Sequence, residues 1–125
     1  MNFCFVSDNT DVRADINFEQ MYEPVIQILR ELGLKDVEKS GRNDLHVNGK
    51  KVSGGAMNVV NGRTYSGYTL LLDIDAEKME KSLKPNIKKM ESKGIKSVRS
   101  RVNSLRDHLD DKYKNLTSIE FSELM

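Results

Sequence analysis

The chain has 125 residues, 38% of them hydrophobic and 31% charged, with a single cysteine and a formal net charge of +1. That length suits one domain able to bury roughly two-thirds of its unfolded surface, and the lone cysteine excludes an internal disulfide. No apolar run approaches the roughly 18 residues of a membrane span, and the N-terminus lacks the basic stretch of a secretory leader, so the expected setting is a reducing cytoplasm.

Residues 2–7 (Asn-Phe-Cys-Phe-Val-Ser) read as a strand, with Phe3 and Phe5 on one face and Cys4 and Val6 on the other. Apolar residues on both faces predict a central strand covered on both sides. Cys4 has no histidine near it in sequence and is expected to be a core thiol. A domain opening directly on such a strand suggests that something is missing upstream. Residues 8–16 are polar and loop-like. Asn17 opens a helix, with Gln20 three residues on as a capping box. Phe18, Met21, Tyr22, Val25, Leu29 and Leu32 repeat at helical spacing, and Gly33 closes the element. Pro24 predicts either a kink or a start nearer residue 22. The stripe reads as core packing without chemistry, and residues 35–40 read as an edge strand.

Residues 41–56 form the segment around which the chain is organised. Leu45 and Val47 alternate with His46, and Asn48-Gly49 supplies the two positive-φ residues of a type I′ hairpin. The return strand runs through Lys50 and Lys51 into Ser53-Gly54-Gly55-Ala56, a backbone that another molecule can approach closely. A lysine beside such a run can hold an anion against backbone N–H groups; the alternative is a surface hairpin with its lysines in water. A second Asn-Gly at 61–62 predicts a three-stranded antiparallel meander whose last strand runs from Arg63 to about Asp75. Asp75 is expected to cap a short helix, with Leu83 its last clear apolar residue.

Charge is unevenly spread. Residues 78–106 hold ten of the twenty basic residues and two of the nineteen acidic ones. Such a block suits an anionic ligand or a solvated lysine-rich helix face. Within it, Ser97, Arg99, Ser100 and Arg101 offer hydroxyl, guanidinium and backbone donors suited to phosphate. At the end of the chain, Thr117 to Glu120 is a capping box opening a short helix with Ile119, Phe121, Leu124 and Met125 apolar.

Three segments together resemble the lipoate-protein ligase family in order and separation: Gly-Arg-Asn-Asp-Leu at 41–45 with Gly-Lys-Lys-Val-Ser-Gly-Gly-Ala at 49–56, Thr-Leu-Leu-Leu-Asp-Ile-Asp at 69–75, and Ser-Lys-Gly-Ile-Lys-Ser-Val-Arg-Ser-Arg-Val-Asn at 92–103. The resemblance implies an α+β fold like that of the biotin and lipoate ligases, a mixed, largely antiparallel sheet with packed helices. It implies ATP-dependent activation of lipoate to lipoyl-adenylate, then transfer to a lysine of an acceptor lipoyl domain or a glycine-cleavage H protein. By resemblance, Lys51 is the central lysine. Asn43 and Asp44 lie beside the nucleotide, with Asp44 a candidate Mg²⁺ contact. Ser53, Gly54 and Ala56 line the site, and the segment with Lys93, Gly94, Ser97, Val98, Arg99 and Ser100 covers the adenylate.

Two departures stand out. Ser66-Gly67-Tyr68 replaces the His-His-Gly usual in the family, which is expected to reshape the pocket. The Arg-Arg and Gly-Gly-Gly segment that the family places before the first strand is absent, as is its C-terminal region. The chain is therefore expected to be the central part of a catalytic domain, truncated at both ends, with a complementary N-terminal segment as a candidate partner. The other readings are a non-catalytic or split-ligase half that binds lipoyl-adenylate, an ATP-independent lipoyl or octanoyl transferase, and a nucleic-acid binder. The last is disfavoured because no aromatic platform is interleaved with the lysines.

Overall fold

The computed structural model describes residues 1–8, 17–82 and 101–125. Strand β1 (Asn2–Asp8) precedes helix α1 (Phe18–Glu31), then β2 (Val37–Ser40), β3 (Asp44–Val47), β4 (Lys50–Val60) and β5 (Arg63–Leu70). Helix α2 (Ala76–Ser82), 3₁₀ turns at Leu105–His108 and Asp111–Tyr113, and helix α3 (Ser118–Leu124) complete the described elements. The strands form one antiparallel sheet in the order β1-β5-β4-β3-β2. The α+β reading is thereby met.

Local chemistry sets the boundaries. The Asn17 side chain accepts from the backbone N–H groups of Glu19 and Gln20, opening α1. Pro24 lies inside α1, which starts at Phe18 rather than near residue 22. At the other end Gly33 adopts φ 114°, its N–H donates to Arg30 O, and that of Leu34 donates to Leu29 O. This pair of bonds is a Schellman motif, which satisfies carbonyls the helix leaves open. Both Asn-Gly pairs form the expected hairpin turns, with φ of 51° and 72° at Asn48 and Gly49, and 51° and 73° at Asn61 and Gly62.

The core lies between one face of the sheet and α1. Tyr22, Val25 and Leu29 of the helix meet Leu45, Val47, Val52, Tyr68 and Leu70 of the sheet, and Leu105, Leu109 and Phe121 extend the cluster. Phe121 is fully buried and anchors α3, whose capping box is complete between Thr117 and Glu120. Asp75 caps α2 by accepting from Glu77 and Lys78, as expected.

Three sequence expectations are corrected. β1 is an edge strand, paired only with β5 among the described strands, and Phe5 and Val6 are 51% and 57% exposed. Cys4 is exposed, because it points to the sheet face opposite α1. Apolar residues on both faces fit this edge because Phe3 packs on Tyr68, with ring centroids 5.1 Å apart, while the far face of β1 carries no helix among the described elements. The third meander strand also ends earlier than expected. The ladder stops at Leu70, and the carbonyls of Leu71 and Leu72 accept from Leu105 and Arg106.

Arg106 ties this part together. Its Nε and Nη2 donate to both carboxylate oxygens of Asp73, at 2.6 and 2.7 Å. Its Nη1 donates to the carbonyls of Lys114 and Leu116. The guanidinium hydrogen bond holds the Asp73 carboxyl below its ordinary range. Arg106→Ala is expected to cost about 1–2 kcal/mol by urea denaturation, mainly through the stranded carbonyls. Asp73→Asn, on a half-exposed carboxylate, is expected to cost less than about 1 kcal/mol.

Burial pushes the Tyr68 phenol up to about 12, and neighbouring Tyr22 adds to the shift. A folded value raised above the unfolded one (about 10) gives stability that is present below pH 10 and lost as pH rises toward 12. Tyr68→Phe should therefore flatten the decline in urea midpoint between pH 9 and 11.

Candidate functional site

The site is built on the β3–β4 hairpin. Leu45 opposes Ser53 and His46 opposes Lys51, so Val52 is an extra residue in β4. This is a β-bulge, a device that re-aims side chains next to active sites. Strict alternation would put Lys51 on the same face as Ser53 and Gly55, against α1. The bulge instead turns Lys51 to the opposite face, with Gly54, while Val52 and Ser53 are both buried.

On that open face Lys51 Nζ lies 2.8 Å from Asp44 Oδ1, with the lysine side chain 38% and the aspartate 30% exposed. Gly54 sits beneath the pair. A Cβ there would lie 2.9 Å from Lys51 Nζ and 3.5 Å from Asp44 Oδ1. Thr69, opposite Gly54 on β5, hydrogen bonds through its hydroxyl to both N–H and carbonyl of Gly54 at 3.3 Å. Ala56 is exposed on the same face, opposite Gly67.

Both backbone hydrogen-bonding groups of Lys51 are taken on the edge away from β3. β3 flanks one edge of the residue. On the other, beyond the end of β5, Lys51 N donates to Arg101 O at 2.7 Å and Asn103 N donates to Lys51 O at 2.9 Å, forming a parallel bridge centred on Val102. Asn103 Nδ2 lies 2.5 Å from His108 Nε2, fixing the far side of that bridge. The C-terminal end of the basic segment is thus bonded directly to Lys51.

Behind the sheet a polar group sets the positions of Asn43 and β4. Tyr22 Oη donates to Asn43 O at 2.9 Å and lies 3.2 Å from Ser53 Oγ. Asn43 O also accepts from Gly55 N, at 2.7 Å, and Asn43 Nδ2 donates to Gly55 O at 2.5 Å. Burial is the first cause of the raised Tyr22 phenol, so the hydroxyl keeps its proton and serves as a donor.

The structure therefore brings Asn43, Asp44, Lys51, Gly54 and Ala56 together and puts Ser53 behind them. Ser53 supports the site from the α1 side, bonded to Tyr22, and does not face Lys51. The proposed loop residues Lys93, Gly94, Ser97, Val98, Arg99 and Ser100 lie outside the described residues. Tyr68, which replaces a family glycine, is buried on the α1 side between Phe3 and Tyr22 and away from the Lys51 face. Sequence reasoning missed Tyr22 and the pairing of Arg101–Asn103 with Lys51. For Tyr22 one signal existed: a tyrosine in an apolar stripe needs a buried hydrogen-bond partner.

The two central glycines should respond differently to a methyl group. A Cβ at Gly55 would meet Tyr22 Oη at 2.8 Å, Met21 Cε at 2.9 Å and Phe18 Cε1 at 3.2 Å, all in the helix–sheet interface. Gly55→Ala is expected to destabilise the fold by about 1–3 kcal/mol. Gly54→Ala meets closely only the flexible end of the Lys51 side chain, so its urea midpoint should stay near wild type while a crystal structure shows Nζ displaced from Asp44.

Comparison with known proteins identifies the family and the fold. The family model described as the lipoyl protein ligase A/B catalytic domain matches residues 1–125. The chain is 54% identical over 125 residues to a lipoate–protein ligase of Streptococcus pyogenes, covering all of this chain and 36% of that protein. It therefore spans about a third of that relative's length. Among solved structures it is similar to a bi-partite lipoate protein ligase from Thermoplasma acidophilum, with TM-score 0.75 and 28% identity, covering 98% of this chain and 47% of that one. A lipoate-protein ligase A bound with ATP shares the fold at TM-score 0.74 and 23% identity, over 98% of this chain and 47% of that one. With a family match from its first residue to its last, the chain belongs to the lipoyl protein ligase A/B catalytic-domain family.

Proposed function

We propose that this chain carries the adenylate-forming centre of a cytoplasmic lipoate–protein ligase. In the first step a lipoate carboxylate oxygen attacks the α-phosphorus of ATP, forming lipoyl-adenylate and releasing pyrophosphate. In the second, the amine of a lysine on an acceptor lipoyl domain or glycine-cleavage H protein attacks the acyl carbon, and AMP leaves. Both steps bring anions together, and fixed positive charge with oriented donors must offset their repulsion.

The observation that carries this reading is the placement of Lys51: a half-exposed ammonium over Gly54, beside one carboxylate, on the open face of the sheet. In this reading Lys51 holds the lipoate carboxylate and then the adenylate phosphate. Asn43 and Asp44 flank the nucleotide, and the small residues Gly54 and Ala56 let it approach the strand. Ser53 fixes the strand from behind. Arg101 and Asn103 bond to the Lys51 backbone, and Lys93, Gly94, Ser97, Val98, Arg99 and Ser100, outside the described residues, are assigned to the adenylate by the family resemblance.

Among the described residues no three His, Cys, Asp or Glu side chains cluster as a metal cage. A single carboxylate at Asp44 fits Mg²⁺ that takes its other ligands from phosphates and water. When bound there, Mg²⁺ supplies charge neutralisation on the triphosphate.

Incubated with lipoate, ATP and Mg²⁺, the protein is expected to release pyrophosphate. Lys51→Ala should lower that yield at least a hundredfold while leaving the far-ultraviolet circular dichroism intact. An undiminished yield would overturn the role of Lys51. A second reading, in which the chain acts with a complementary polypeptide, is favoured by the bi-partite neighbour. It predicts pyrophosphate only after mixing with a separate segment of the enzyme.

A further inference from the structure

The Asp44–Lys51 contact holds an additional property of the site, one that rests on the ligase reading above. The cation assigned to the anionic substrate is already occupied. Lys51 Nζ is 2.8 Å from Asp44 Oδ1, and Asp44 is the only acidic group ion-paired to it among the described residues. Gly54 leaves room for the ammonium just where a Cβ would stand 2.9 Å away. The Lys51 backbone is fixed through its N–H and carbonyl, bonded to Arg101 O and Asn103 N, and lies opposite His46 across the β3–β4 ladder. Both partners are about one-third exposed, so the pair is of the half-solvated kind that is worth little and exchanges readily.

We propose that Asp44 is a positioning residue that acts as an exchangeable counter-ion. It parks the Lys51 ammonium over Gly54 in the free protein and yields it to an incoming carboxylate or adenylate phosphate. The carboxylate so released is left facing the nucleotide, where a divalent cation can take it up. The exchange conserves charge pairing. One Lys–carboxylate pair becomes one Lys–ligand pair and one carboxylate–cation pair, so neither charge is left uncompensated. An anion binding without the cation must therefore displace Asp44 and strand its charge. This couples anion affinity to the divalent cation through one 2.8 Å contact.

The test is calorimetric titration of the protein with a non-hydrolysable lipoyl-adenylate analogue in Mg²⁺-free buffer. Four chains are compared: wild type, Asp44→Asn, Lys51→Ala and the double variant, each checked for folding by circular dichroism. Lys51→Ala should bind at least about tenfold more weakly, having lost a charge-assisted contact. Asp44→Asn should bind about two- to fivefold more tightly, the span expected from releasing one half-exposed ion pair. That gain should vanish in the double variant. If Lys51→Ala weakens binding but Asp44→Asn leaves it unchanged or weaker, the counter-ion role is overturned while the ligase site stands. If the gain persists in the double variant, it reflects through-space repulsion and the counter-ion role is likewise overturned. If Lys51→Ala binds as wild type, the site reading falls and the exchange falls with it.

Discussion

The arrangement of the site depends on one extra residue. Val52 breaks the register between β3 and β4, so Leu45 faces two buried residues and Lys51 shares a face with Gly54. Without the bulge, the two-residue period of a strand would point the lysine into the helix-covered core, where an unpaired ammonium is costly. With it, Lys51 reaches the open face while its neighbours on either side remain bonded. The hydrophobic demand of Val52 and the polar demand of Lys51 are met together because the strand does not alternate there.

The second constraint is the close approach of α1 to β4. Gly55 has no side chain because Phe18, Met21 and Tyr22 occupy the space where one would be. That contact brings the Tyr22 hydroxyl to Asn43 O and Ser53 Oγ, with one partner on each side of the Lys51–Asp44 pair in the sequence. Helix packing and site geometry are thus joined by a single phenol. The Ser53 and Gly55 side of the strand is buried against α1, and the Lys51, Gly54 and Ala56 side is partly or fully exposed among the described residues. The basic segment enters the same construction where β5 ends, since Arg101 and Asn103 fill the hydrogen-bonding edge that β5 leaves open beside Lys51.

Much of the fold was legible in the sequence for reasons that are local. Asn48-Gly49 and Asn61-Gly62 dictate hairpins because few other residue pairs tolerate two successive positive φ angles. Asn17, Gly33, Asp75 and Thr117 mark helix ends because each satisfies backbone groups that a helix leaves open. The stripe from Phe18 to Leu32 marks a buried face by its period. The expectations for β1 and Cys4 failed because apolar alternation reports a residue's character and not how many neighbours its strand acquires. The end of β5 was misplaced for a related reason. Leu71 and Leu72 look like strand, yet their carbonyls are taken by residues more than thirty positions away.

The sequence by itself determined the turns, the caps, the core face of α1 and the family, and with the family the expectation that Lys51 is the central charge. These rest on interactions within a few residues or on motifs read directly. Only the tertiary structure decided which face Lys51 points to, that Asp44 holds its ammonium, that Ser53 is a support bonded to Tyr22, and that Tyr68 lies in the core away from Lys51. Each of those depends on strand register and on pairings between distant segments. A shift of one residue in register exchanges the two faces of a strand, and no local signal in β4 states that Val52 is the residue left unpaired.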